Sequence, residues 1–209
     1  METARYTYDE IADTIFRPIY PRIAEDILSA TGVTGGRMVD VGCGGGHLGL
    51  ALMERAPFTG TFLDVREEAL ALARRRAEER GLLPRCSFLA GDVHQIALPD
   101  GCADLVISRG SMIFWSDQER AFREIYRILA PGGRTYVGTG LGSTELREQI
   151  RARMKAADPG WPRRQRENSK ALSTPAYRAL FAQLGWDFEI LENEEQGRWI
   201  ILRKGAGPS

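Results

Sequence analysis

Five glycines fall within eight residues of the stretch VDVGCGGGHLG, residues 39–49. Glycine loses more conformational freedom on folding than any other residue, about 0.5–1 kcal/mol relative to alanine inside a helix or strand. A cluster of five implies a backbone turn that side chains would forbid, or a ligand lying against bare backbone. The apolar run before the loop ends in Asp40, and HLGLALMERA after it carries apolar residues near helical period. Strand, glycine turn and helix form the opening unit of a parallel sheet wrapped by helices. No other feature of the chain restricts the fold class as much.

The remaining sequence repeats that unit. RMVDV (37–41), TGTFLDV (59–65), CSFLAGD (86–92), ADLVISR (103–109) and GRTYVGTG (133–140) read as five strands. In REEALALARRRAEERG acids open a helix, Arg74, Arg75, Arg76 and Arg80 crowd its later turns, and Gly81 stops it, as the helix dipole favours. DQERAFREIYRILAPGG places Phe122, Ile125, Ile128 and Leu129 on one face and is predicted to end at Pro131-Gly132-Gly133. WDFEILE and GRWIILRK are late strands joined through NEEQG as a hairpin. One or two helices, broken near Pro18 and Pro21, precede the first strand. The predicted fold is α/β: a doubly wound, mostly parallel seven-stranded sheet of Rossmann-like type, with N-terminal helices and an antiparallel terminal hairpin.

Charge and composition narrow the function classes. Twenty-eight basic residues balance 28 acidic ones, which gives no electrostatic case for nucleic acid or an anionic membrane. No apolar stretch reaches the roughly 20 residues of a membrane helix. The N-terminal METARYTYDEIADTIF lacks the apolar core of a signal peptide, so a cytoplasmic protein is expected. Cys43, Cys86 and Cys102 have neither disulfide-framework nor metal-ligand spacing. Nothing in the sequence sets an oligomeric state.

An open doubly wound sheet binds its ligand at the carboxyl ends of the strands, where the glycine loop lies. No Lys-Ser/Thr pair follows the glycines, which excludes a GxxxxGK[ST] phosphate loop. A dinucleotide fold wants G-x-G-x-x-G, and from Gly42 and Gly44 the third position is His47. S-adenosylmethionine, with a cationic sulfonium and amine, favours a carboxylate before the loop, which Asp40 supplies. Asp64 ends the second strand, where a carboxylate can take both ribose hydroxyls of either cofactor. Asp92 follows the third, where a side chain can receive an adenine amine. A strand-end carboxylate is ordinarily solvated, so Asp64 is expected to matter to a ligand more than to the fold.

VDVGCGGGHLG, FLDV, GDVHQIALPDGCADLVISRGSMIFW and REIYRILAPGGRTYVG together resemble the ordered motifs of class I S-adenosylmethionine-dependent methyltransferases over residues 35–140. The resemblance implies a single methyltransferase domain, 1–209, with a helical lid over 1–34 and a substrate-side insertion over 144–170. It implies that Asp40, Gly42, Cys43, Gly44 and Gly46 hold the methionine side, Asp64 the ribose, Val65 the adenine face, and Asp92 with Val93 the adenine edge. Ser108 and Arg109 would face the methyl group and the acceptor, although many relatives carry Asn or His in place of Arg109. The implied activity is methyl transfer from S-adenosylmethionine to a small-molecule acceptor. A nicotinamide-dependent oxidoreductase and a non-enzymatic S-adenosylmethionine-binding module are the alternatives.

The catalytic candidates are His47, Arg109 and Tyr20, with Tyr8 a further source of a base for an alcohol or amine acceptor. His47 is expected to stand partly exposed beside the methionine moiety, and His94 at the lip of the adenine pocket. Phe114 or Trp115 would form a wall of the site. Residues 147–170 hold eight basic residues against three acids. Such a run is a solvated face or, with Arg151, Arg163, Arg164 or Arg166 as clamps, a site for an anionic substrate. Trp161 is expected to pack on the pocket when ligand is present.

Overall fold

The computed structural model describes residues 7–160, 167, 169–193 and 197–205. Seven strands form one sheet: β1 (Gly36–Val41), β2 (Phe58–Asp64), β3 (Cys86–Ala90), β4 (Ala103–Arg109), β5 (Leu129–Gly138), β6 (Asp187–Asn193) and β7 (Gly197–Arg203). Their order is β3-β2-β1-β4-β5-β7-β6. The first five pair in parallel, whereas β7 runs antiparallel to both β5 and β6. The α/β architecture with its terminal hairpin therefore matches the sequence reading.

Alternation along the central strands builds a core on each face, because successive strand residues point to opposite sides. Met38, Leu105, Ile107, Tyr136, Trp199 and Ile201 face one side, where α1 (Tyr8–Thr14), α2 (Ile19–Thr31) and α3 (His47–Met53) cover them. Val39, Val41, Val106, Val137, Ile200 and Leu202 face the other, under α5 (Gln118–Ile128) and α7 (Thr174–Gln183). Two further α-helices are α4 (Glu67–Glu79) and α6 (Thr144–Ala157).

Two boundaries differ from the expectation. Pro21 does not break a helix; it lies in the first turn of α2, after Pro18 at the cap, where a missing N–H costs nothing. LAPGG is not the tail of α5. The chain turns extended at Leu129, which pairs with Ala103, and the register slips between Ala103 and Leu105. Among the described residues no helix is long and apolar enough to cross a membrane. The strand order reverses between β1 and β4, so the crevice for a ligand opens at the carboxyl ends of those two strands.

Candidate active site

A cavity of about 580 Å³ occupies that crevice. Asp40, Asp64, Asp92, Val65, Val93 and Arg109 line it, together with residues 42–45 of the glycine loop. Phe16 and Tyr20 close it from the side of the N-terminal helices. Gly46 and Ser108 are not on the wall. Gly46 caps α3 against Ala73, and Ser108 is fully buried with its Oγ 2.6 Å from that of Ser111. Ser111 in turn donates to the carbonyl of Val41, which ties the β4 loop to the end of β1.

The glycines answer to separate constraints. Gly44 has φ +51°, and nothing stands within 4 Å of where a Cβ would project, so the loop presents open backbone. At Gly45 a Cβ would lie 1.7 Å from a guanidinium nitrogen of Arg76. That guanidinium donates to the Gly45 carbonyl at 3.0 Å and to Asp13 Oδ2 at 2.5 Å. Arg76 is 7% exposed and braces the loop from beneath.

The three acids occupy different environments. Asp40 is 2% exposed and accepts the Gly49 N–H at 3.0 Å. Burial, reinforced by the nearby charge of Asp64, pushes its carboxyl up to about 7. Asp64 is not the solvated residue expected. It is 8% exposed and accepts the Gly44 N–H at 2.8 Å and the Arg66 N–H at 3.0 Å, because the loop folds back over the end of β2. Asp92 projects to solvent and accepts the His94 N–H, which with the adjoining ring holds its carboxyl below the ordinary range. The Asp117 N–H donates to His94 Nε2, so Nδ1 carries the ring proton and donates to Asp92.

At the mouth, Val65 and Phe114 are exposed, and the Phe114 ring meets that of Tyr8 edge-on at 5.8 Å. Trp115 also lines the cavity, yet most of its indole packs against Phe122 in the core. Trp161, Arg163, Arg164 and Arg166 lie outside the described residues.

His47, Tyr20 and Arg109 converge on the side of the N-terminal helices. His47 is buried rather than partly exposed; its ring stacks on Tyr20 at 4.9 Å, and Nε2 lies 2.7 Å from Asp13 Oδ1. Burial lowers the imidazole pKa against the raising effect of Asp13. The neutral ring donates from Nε2 to the carboxylate, which leaves Nδ1 as an acceptor. Burial raises the Tyr20 hydroxyl, which therefore stays protonated at neutral pH. Arg109 is half-buried, with its guanidinium 4.4 Å from the centre of the Phe16 ring and Nε donating to the Gly140 carbonyl at 3.3 Å.

Among the members of this site that sequence reasoning missed are Asp13 and Arg76, which support the loop, and Phe16, which closes the cavity. A signal for Arg76 existed, since it falls on the α4 face of Ala69, Ala73 and Ala77, whose small side chains leave room for a guanidinium. Asp13 had none, because its partners are 34 and 63 residues away.

Known proteins bear directly on this geometry. The family described as "Methyltransferase domain" matches residues 38–133. Demethylmenaquinone methyltransferase of Thermus thermophilus is 43% identical over 48% of this chain, and the match spans 46% of that protein. The chain thus spans less than half the length of that relative. Malonyl-[acyl-carrier protein] O-methyltransferase of Geobacter sulfurreducens is 30% identical over 86% of this chain and 68% of its own length. A crystal structure from Methanococcus maripaludis, assigned as an S-adenosyl-L-methionine-dependent methyltransferase, superposes with a TM-score of 0.87 at 39% identity, covering 96% of this chain and 91% of that one. The chain belongs to the class I S-adenosylmethionine-dependent methyltransferases.

Proposed function

We propose that the chain binds S-adenosylmethionine in the cavity at the ends of β1, β2 and β4 and transfers its methyl group, by in-line displacement, to a small-molecule acceptor. The observation that carries this reading is the convergence of Asp40, Asp64 and Asp92 with the open backbone of Gly44 on one cavity. A buried carboxylate suits a cationic amine, a two-oxygen acceptor suits a ribose diol, and an exposed acid beside Val65 and Val93 suits an adenine edge. Family membership sets the nicotinamide alternative aside.

When bound, S-adenosylmethionine supplies a methyl carbon already activated by its sulfonium. The protein's part is placement and exclusion of water. Asp40, Gly42, Cys43 and Gly44 would hold the methionine side, with Gly46 and Ser108 shaping the wall from behind. Tyr8, Asp9, Ala12 and Phe16 stand over the cavity and would shield the reacting atoms. For an alcohol or amine acceptor, His47 Nδ1 is the group free to take a proton, with Asp13 fixing the tautomer as a carboxylate does beside other catalytic imidazoles. Protonated Tyr20 would donate a hydrogen bond rather than act as a base. Relatives named for demethylmenaquinone and for malonyl-[acyl-carrier protein] support a small or carrier-borne acceptor rather than a nucleic acid.

Calorimetry tests the reading first. S-adenosylhomocysteine should bind at micromolar concentration and NADH should not. Methyl-tritiated S-adenosylmethionine, offered with a panel of quinols, carboxylic acids, thiols and amines, then reports transfer. Tight binding without transfer to any acceptor would favour a non-catalytic binding module.

A further inference from the structure

Two arginines among the described residues line the cavity, and they differ in their partners. Arg66 lies 3.6 Å from Asp9 and 3.8 Å from Asp64, so its charge is answered within the protein. Arg109 has no carboxylate in ion-pair range among the described residues. Its neighbours are the face of Phe16 and the Gly140 carbonyl, and the Tyr20 hydroxyl acts on it electrostatically. These groups orient a guanidinium without neutralising it. Burial also holds its pKa below the ordinary value, against the raising effect of Tyr20.

Arg109 ends β4, the strand beside β1, and Ile107 is in register with Asp40. Asp40 and Arg109 both act electrostatically on the Tyr20 hydroxyl, as Asp13 and Arg76 do, and no ion pair joins Asp40 to Arg109 among the described residues. A ligand sulfonium would bring a second positive charge into this partly dehydrated space. Two cations there repel strongly unless an anion stands with them.

Resting on the proposal that S-adenosylmethionine binds here, we infer that Arg109 is the acceptor-binding residue, and that the acceptor is a planar oxyanion, such as a carboxylate, received by the guanidinium and facing the sulfonium. A guanidinium fork matches two oxygens held in one plane. Transfer to such an anion balances without a base. The acceptor's lone pair forms the new bond to carbon, the carbon–sulfur pair returns to sulfur as a neutral thioether, and one positive and one negative charge disappear together. His47 is then free to serve as the clasp between α3 and Asp13.

The test needs no identified acceptor. S-adenosylmethionine and S-adenosylhomocysteine share every group except the sulfonium methyl, so their affinity ratio measures the charge at sulfur. Calorimetry with wild type, Arg109→Gln and Arg109→Lys should show Gln shifting the ratio toward S-adenosylmethionine by roughly threefold or more, with Lys leaving it near wild type. Sodium acetate at constant ionic strength should tighten S-adenosylmethionine more than S-adenosylhomocysteine on wild type. Acetamide should have no effect, and Arg109→Gln should abolish the effect of acetate. An equal loss of both nucleosides in Arg109→Gln would mean that Arg109 reads the cofactor's own carboxylate, which overturns the inference. An unchanged ratio, or acetate acting equally on both, would overturn it as well. If Arg109→Gln does not fold, the acetate comparison on wild type decides. Failure of wild type to bind either nucleoside would instead defeat the proposed function.

Discussion

Replacing Asp64 with alanine should damage the empty protein as well as its ligand binding. The carboxylate accepts the N–H groups of Gly44 and Arg66, at 2.8 and 3.0 Å, and is 8% exposed. Hydrogen bonds to a charged acceptor contribute about 1.5–3 kcal/mol each, so the pair amounts to about 3–6 kcal/mol. The cavity mouth lets water reach the vacated site and rehydrate part of what is lost, which places the expected cost near the lower bound, about 3 kcal/mol. For a chain of this size that corresponds to a fall of roughly 6–12 °C in melting temperature. Asp64→Asn keeps one acceptor oxygen and should lose about half as much. Thermal unfolding followed by circular dichroism, without nucleoside, reads both variants. An alanine variant melting within about 2 °C of wild type would refute the claim that this carboxylate braces the glycine loop.

Other perturbations probe the remaining supports. The folded Asp40 carboxyl titrates at about 7 against an ordinary 3.8, so the native state holds more protons between those values. Its stabilising contribution is complete below about pH 4 and is lost as pH rises through 7, so the stability advantage of Asp40→Asn over wild type should grow from about pH 5 to pH 8. If Asp40 meets the ligand amine, S-adenosylhomocysteine binding at pH 6 should release nearly one proton, read from calorimetry in buffers of different ionisation heat, and Asp40→Asn should release none. Gly45→Ala must displace Arg76 and should lower the melting temperature by several degrees, with Gly44→Ala strained by its backbone angle alone. Asp13→Ala leaves the buried guanidinium of Arg76 with one partner fewer and unclasps α1. Faster proteolysis within α1, with β-sheet signal retained, is the expected result; unchanged cleavage would deny Asp13 that role.

Much of the fold was legible because its signals are local. Strand alternation, acids at strand ends and the hairpin connection each occupy fewer than about ten consecutive residues. The same holds for Asp40, Asp64 and Asp92, which sequence alone places at the edge where the cavity opens. What escaped depends on the path of the chain in space. Asp64 is enclosed because the glycine loop returns over it, and sequence cannot show that return. Arg76 resembles an ordinary late-turn arginine of α4, yet the alanines around it turn it inward. The β5 boundary was misplaced because Pro131 and Gly132 read as a helix stop, whereas pairing of Leu129 with Ala103 captures the segment into the sheet. Gly46 and Ser108 have site-like positions in sequence but stand behind the wall, since a motif fixes neighbourhood and not which way each residue faces.

A crystal structure of the full chain with S-adenosylhomocysteine tests the central claim most directly. The ribose hydroxyls should lie on Asp64, the adenine between Val65 and Val93 with its amine toward Asp92, the methionyl amine at Asp40, and sulfur on the side of Arg109. A nucleoside bound outside the crevice between β1 and β4, or lying in it with the adenine at Arg109, would contradict it.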